Sequence, residues 1–263
     1  MWSELMESAV ETDGVWCVDV PGQWSQGRSV FGGLQAAIGW IAMRALVPAE
    51  VPLRSLQVTF MAPVPTGPVR ARAQVLRAGR SATHVEARLI GDAQQPLCTM
   101  IGIFGAQRPS QVVLRPQQPV VDDAGAIPFR FVPGMTPDFT RYFSARWLRG
   151  GLPFSGEAST ESIVELSMHD REGVNASESH LLALADYIPP IALSHLRTPA
   201  AGSSMTWMLE FLNDDLHTLP LQGWRMDGRL DAALNGYTSQ GGILWGPDGR
   251  AAALSRQNMV VFG

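Results

Sequence analysis

The stretch from Gly33 to Val47 carries only Gln35 and Arg44 as clearly polar side chains. A helix that is apolar nearly all round cannot lie on a surface and has to be wrapped on most of its sides. Its longest apolar run, Leu34 to Val47, would be about 21 Å long at 1.5 Å per residue, short of the ~30 Å hydrocarbon core of a bilayer. Protein, rather than lipid, is therefore the expected wrapping. The next segment supplies it, because from Arg54 to Phe104 the pattern changes to period two, as half-buried antiparallel strands require. Leu56, Val58 and Phe60 alternate with Ser55, Gln57 and Thr59, and Val69, Ala71, Ala73 and Val75 alternate with Arg70, Arg72 and Gln74. Arg77-Ala78-Gly79-Arg80 and Gly91 to Pro96 read as turns around the strands His84 to Ile90 and Leu97 to Phe104. Four strands in a meander, strongly curved, could close around one helix.

The order then repeats. Strand-like Arg141 to Trp147 and Ser162 to Met168 precede a second apolar helical stretch, His180 to Leu193. Ser203 to Phe211, Gln222 to Leu230, Gly236 to Trp245 and Ala251 to Phe262 read as strands after it, with Pro247-Asp248-Gly249 as a hairpin turn. The two helices, and the strands headed by Ser55 and Ser204, are roughly 150 residues apart, the signature of an internal duplication. Residues 1–110 and 137–263 form the two expected domains. Residues 111–136, rich in Pro, Gln, Val and Asp without sustained periodicity, form the expected connector.

With 46% apolar and 17% charged residues, the 263-residue chain has the composition of a globular protein. Its formal charge of −4, with 24 acidic residues against 20 arginines, argues against a nucleic-acid partner. Cys17 and Cys98 read as reduced packing residues. The N-terminal residues lack a cationic segment followed by an apolar one, so a cytoplasmic location is expected, without membrane contact. His84, His169, His180, His195 and His217 show no metal-ligand spacing, so neither metal nor cofactor is expected. A Gly-x-Ser-x-Gly elbow, a Gly-x-Gly-x-x-Gly turn and a Walker loop are all missing from the sequence.

Asp186 is the only Asp, Glu, Lys, Arg or His between Leu181 and Leu193. A buried carboxylate must be hydrogen-bonded, paired or raised in pKa, and each of these suits a general base or a water-positioning group. The alternative is a helix cap, since Pro189 and Pro190 fit the first turn of a new helix just after it. Gly32-Gly33 also has two readings. The free N–H groups of a helix start suit a carbonyl oxygen gaining charge, and two glycines equally suit a tight turn with close packing. Among the aromatic residues, Trp40, Trp207 and Trp245 are candidates for a pocket wall.

Val30-Phe31-Gly32-Gly33 at the head of a buried helix, followed by Arg77-Ala78-Gly79-Arg80-Ser81, resembles the first half of TesB-like acyl-CoA thioesterases. The likeness continues in order through Leu184-Ala185-Asp186-Tyr187-Ile188-Pro189-Pro190, Ser203 to Phe211, and Ala253-Leu254-Ser255-Arg256-Gln257. The resemblance implies an α+β double hotdog, two tandem antiparallel curved sheets each wrapping a helix. It also implies hydrolysis of an acyl-CoA thioester by an activated water, with Asp186, Ser204 and Gln257 as the catalytic set and Gly32 and Gly33 at the substrate. Thr206, two residues from Ser204 and expected on the same strand face, is the competing hydroxyl. Related hotdog hydratases place a His five residues after their Asp, where this chain has Ile191. The rival reading is a non-catalytic acyl-CoA or lipid-binding protein on the same scaffold. Exposed sheet edges and apolar faces make homo-oligomers an expectation.

Overall fold

The computed structural model describes residues 1–213 and 215–263. Helix α1 (Trp2–Glu7) and strands β1 (Val10–Thr12), β2 (Val15–Val20), β3 (Ser25–Gln26) and β4 (Ser29–Val30) precede the central helix α2 (Gly32–Arg44). The meander follows as β5 (Leu53–Phe60), β6 (Gly67–Ala78), β7 (Thr83–Ile90) and β8 (Pro96–Phe104). Beyond it come β9 (Ile127–Phe129), β10 (Phe143–Arg149), β11 (Glu161–Met168) and α3 (Glu178–Ala185). Strands β12 (Ala201–Phe211), β13 (Trp224–Leu234), β14 (Tyr237–Trp245) and β15 (Ala251–Phe262) close the chain. No helix among the described residues is long and apolar enough to cross a membrane.

All strands but β3 and β4 join one sheet, in the order β1-β2-β6-β7-β8-β5-β12-β15-β14-β13-β11-β10-β9. Read outward from the β5–β12 pair the order is the same on both sides, with β8, β7, β6 and β2 matched by β15, β14, β13 and β11. The duplication visible in the sequence is therefore a duplication of topology, and β5 and β12 pair antiparallel at its centre. This is an α+β double hotdog. Strand β9 lies in the stretch expected to be a bare connector, and pairs with β10 as the last strand of the sheet.

Helix α2 packs against β2, β6, β7 and β8 on one side and against α3 on the other. Leu34, Ala36, Ala37, Ile38 and Met43 have no solvent exposure, as an all-round apolar helix requires. The second helix is shorter than its apolar run. It ends at Ala185, Asp186 has left helical geometry (φ −99°, ψ 4°), and a 3-10 turn follows at Ile191–His195. The cause is Pro189-Pro190, which cannot continue an α-helix.

Where α2 begins it crosses α3 closely. A Cβ on Gly33 would stand 2.7 Å from the carbonyl oxygen of Leu182, and that backbone atom has no freedom to swing aside. Gly33→Ala is expected to lower stability by roughly 1–3 kcal/mol, the usual cost of forcing an extra carbon into a packed contact. Urea denaturation of the two proteins measures it.

Candidate active site

Asp186 terminates α3, and its carboxylate lies at the N-terminus of α2. The backbone N–H of Gly33 faces it and favours its charged form, and its Oδ2 is so close to Gly32 that a Cβ there would be 2.6 Å away. The carboxylate thus stands at a helix start, as the capping reading expects, with a change of helix. The residue caps α2, from the other half of the molecule, and not the turn that follows it in sequence. That turn finds its acceptor elsewhere, since the N–H of Ile191 donates to Gln240 Oε1 at 2.8 Å.

Gln240 and Gln257 extend this contact to the carboxylate. Gln240 Nε2 donates to Gln257 Oε1 at 3.5 Å, and Gln257 Nε2 donates to Asp186 Oδ1 at 2.6 Å. Because a backbone N–H can only donate, Ile191 dictates which way the Gln240 amide faces, and Gln240 then orients Gln257. Both side chains are only 3% exposed, so water does not compete for these bonds. Gln240 was not anticipated. A turn centred on Asp248 would set residue 240 opposite 256, and a bulge between Leu244 and Trp245 shifts the register by one, so that Gln240 stands opposite Gln257.

Ser204 lies across a pocket of about 200 Å3 whose walls also include Asp186, Gly32, Phe60, Ile188 and Met259. It makes no hydrogen bond to the carboxylate. Thr206 does not share its face, contrary to the two-residue spacing. The strand bulges between them, so that Ser204 stands opposite Met259 and Thr206 opposite Asn258. Met259 and Asn258 are adjacent and point to opposite sides of the sheet, and Thr206 is left exposed on the outer one. The expectation for the glycine pair also changes. The N–H of Gly33 is engaged by Asp186, whereas that of Gly32, at the free end of the helix, has no partner among the described residues. None of Trp40, Trp207 and Trp245 lines the pocket. Trp40 and Trp207 instead direct their indole N–H groups to Glu178 and Ser255.

An aromatic brace, also unanticipated, holds the two sides of the site. Phe31, immediately before Gly32, stacks on Phe139 with ring centroids 3.9 Å apart. Tyr187, immediately after Asp186, meets Phe143 at 5.0 Å and the edge of Phe139 at 6.2 Å. One aromatic cluster therefore clamps both chain neighbours of the Gly32–Asp186 contact.

Burial pushes the Asp186 carboxyl up to about 7, against the lowering effect of the Gln257 hydrogen bond and the Gly33 N–H. The folded protein thus binds this proton more tightly than the unfolded chain, whose carboxyl titrates at the ordinary value of 3.8. Stability contributed by the neutral form is present below the unfolded pKa and is lost as pH rises toward 7. Asp186→Asn, permanently neutral, is accordingly expected to be more stable than wild type at pH 8, with the difference shrinking toward pH 4. Denaturant titrations at the two pH values check the sign.

Comparison with known proteins places this arrangement. The model of the acyl-CoA thioesterase N-terminal domain matches residues 20–105, and that of the C-terminal domain matches residues 115–261. The chain belongs to the acyl-CoA thioesterase family and is a thioester hydrolase of the TesB-like, double-hotdog type. Solved structures agree in fold. A hot dog protein from Alicyclobacillus acidocaldarius superposes with a TM-score of 0.85 at 21% identity, covering 100% of this chain and 98% of that one. The tesB protein of Mycobacterium avium subsp. paratuberculosis gives 0.79 at 13% identity, with 99% of each chain covered. The acyl-CoA thioesterase II TesB2 of Mycobacterium marinum gives 0.75 at 15%, covering 100% and 97%. Among curated proteins no sequence matches.

Proposed function

We propose that the chain hydrolyses an acyl-CoA by direct attack of a water molecule held by the Asp186 carboxylate. The observation that carries this reading is the carboxylate itself, on the wall of a pocket, oriented by Gln257 and Gly33 and poised near neutral pH. A general base works best when its pKa lies near the operating pH. Water, losing a proton to Asp186, would bond to the thioester carbon, and the carbonyl oxygen would gain the negative charge. The unpaired N–H of Gly32, at the positive end of α2, is the donor available to that oxygen. Collapse breaks the C–S bond, and the proton held by Asp186 leaves with the CoA thiolate, giving a free acid and the thiol.

Ser204, which lines the same pocket, can both donate to and accept from the water. Gln257 acts differently. Its two amide atoms are turned toward Asp186 and Gln240, so it is a positioning residue that fixes the carboxylate, with Gln240 behind it.

Release of free thiol from a series of acyl-CoA esters tests the reading. Wild type is expected to turn over at least one of them. Asp186→Asn is expected to lose roughly 10²–10⁴-fold in kcat while substrate still binds. Equal rates would remove Asp186 from the mechanism, and saturable binding without turnover by wild type would leave only a binding protein. Because the ionised form is the base, kcat should rise with pH through about 7 and level off above it. Replacing Gln257 with Leu deletes a hydrogen bond that favours the ionised form, so the rising limb should move to higher pH. Gln240→Leu, which frees the Gln257 amide to turn, should move it in the same direction by less.

A further inference from the structure

Gln35 is the one polar side chain in the first two turns of α2, and it lies on the wall of the pocket that holds Asp186. Only 4% of it is exposed. Its Nε2 donates to the carbonyl oxygen of Val30 at 2.6 Å and to Ser29 Oγ at 3.1 Å. Since a carbonyl can only accept, the amide cannot be turned over, and Oε1 must face the other way. That oxygen is buried and has no hydrogen-bond partner. Leaving a buried acceptor empty is destabilising, a penalty the chain could have avoided with an apolar residue.

Ser29 shows the complementary vacancy. Its Oγ accepts from Gln35 Nε2 and from the backbone N–H of Val64 at 3.0 Å. Both lone pairs are then used, and the hydroxyl proton has no acceptor among the described residues. Ser29 also lines the pocket. An unfilled acceptor on α2 and an unfilled donor on β4 therefore belong to two residues that bond each other, both on the wall of the pocket that Asp186 lines.

Resting on the thioesterase reading above, we propose that Gln35 and Ser29 form a polar subsite that binds a group of the substrate able both to donate and to accept a hydrogen bond, close to the scissile carbonyl. Two parts of an acyl thioester carry such chemistry: a hydroxyl on the acyl chain, or the secondary amide on the thiol side. The subsite is a specificity determinant for one of them. An unsubstituted alkyl chain or an ester in the same place would leave Oε1 empty, and sites built to pair a polar group discriminate strongly against analogues that lack it.

Matched substrate pairs separate the two sources. Butyryl-CoA against 3-hydroxybutyryl-CoA probes the acyl side. The butyryl thioester of N-acetylcysteamine against that of 2-mercaptoethyl acetate, in which oxygen replaces the amide N–H, probes the thiol side. Wild type is expected to favour the donor-bearing member of at least one pair in kcat/KM by about tenfold or more. Gln35→Leu should collapse that ratio toward one, and Ser29→Ala, which keeps Gln35 bonded to Val30, should reduce it. Collapse of the first ratio assigns the subsite to the acyl chain, and collapse of the second assigns it to the thiol arm. The proposal is overturned if wild type prefers neither donor, or if the preferences survive in both variants. Loss of fold in Gln35→Leu, visible by circular dichroism, leaves Ser29→Ala as the deciding variant. No turnover of any thioester by wild type is a different result and would count against the hydrolytic reading itself.

Discussion

Everything in this molecule that bears on chemistry depends on two helices, one from each half, meeting end to side with no side chain between them. At Gly33 the approach is set by the Leu182 carbonyl, and at Gly32 by the Asp186 carboxylate. Only because both positions lack a Cβ can the positive end of α2 receive a carboxylate from α3. The contact serves at once as a helix cap, as a joint between the duplicated halves, and as the placement of a carboxylate beside a pocket. Phe31 and Tyr187, on either side of it in sequence, are held against Phe139 and Phe143, so aromatic packing supports the geometry rather than hydrogen bonds alone.

The carboxylate is kept between two opposing demands. Burial disfavours its charge, and without compensation a buried Asp would stay neutral and useless as a base. The helix N-terminus and the Gln257 amide pull the other way. The balance lands near neutrality. A carboxylate with more donors would titrate lower, and one with fewer would titrate higher.

The duplication makes a second helix-end contact, used differently. At the far end of the pair, α3 begins with Glu178, which faces the last turn of α2. Its carboxylate accepts from Trp40 Nε1 at 2.7 Å and from the backbone N–H of Leu53 at 2.6 Å, and lies 3.7 Å from Arg44. That carboxylate has a guanidinium and two hydrogen bonds around it. Two related ends of one helix pair have thus diverged, one into a structural lock and the other into a site. The difference lies in the cation, since Asp186 has donors but no positive partner.

Most of the fold was legible because it rests on periodicities. The change from an all-apolar helix to period-two strands, repeated once, sufficed for the strand meander, the duplication and the wrapping of α2, and the motif order placed Asp186, Gln257 and the glycine pair together. The sequence by itself determined which residues must be buried and where the chain must turn. Tertiary structure alone decided which face of β12 Ser204 and Thr206 occupy, because a one-residue bulge reverses alternation without leaving a mark in composition. It alone decided that Asp186 caps the helix of the other half, that Gly33 spends its N–H there, and that Gln240 stands behind Gln257. These are contacts between segments far apart in the chain, and local pattern is silent about them: propensity and period record what each residue's neighbours along the chain require, while a site is set by what lies across from it.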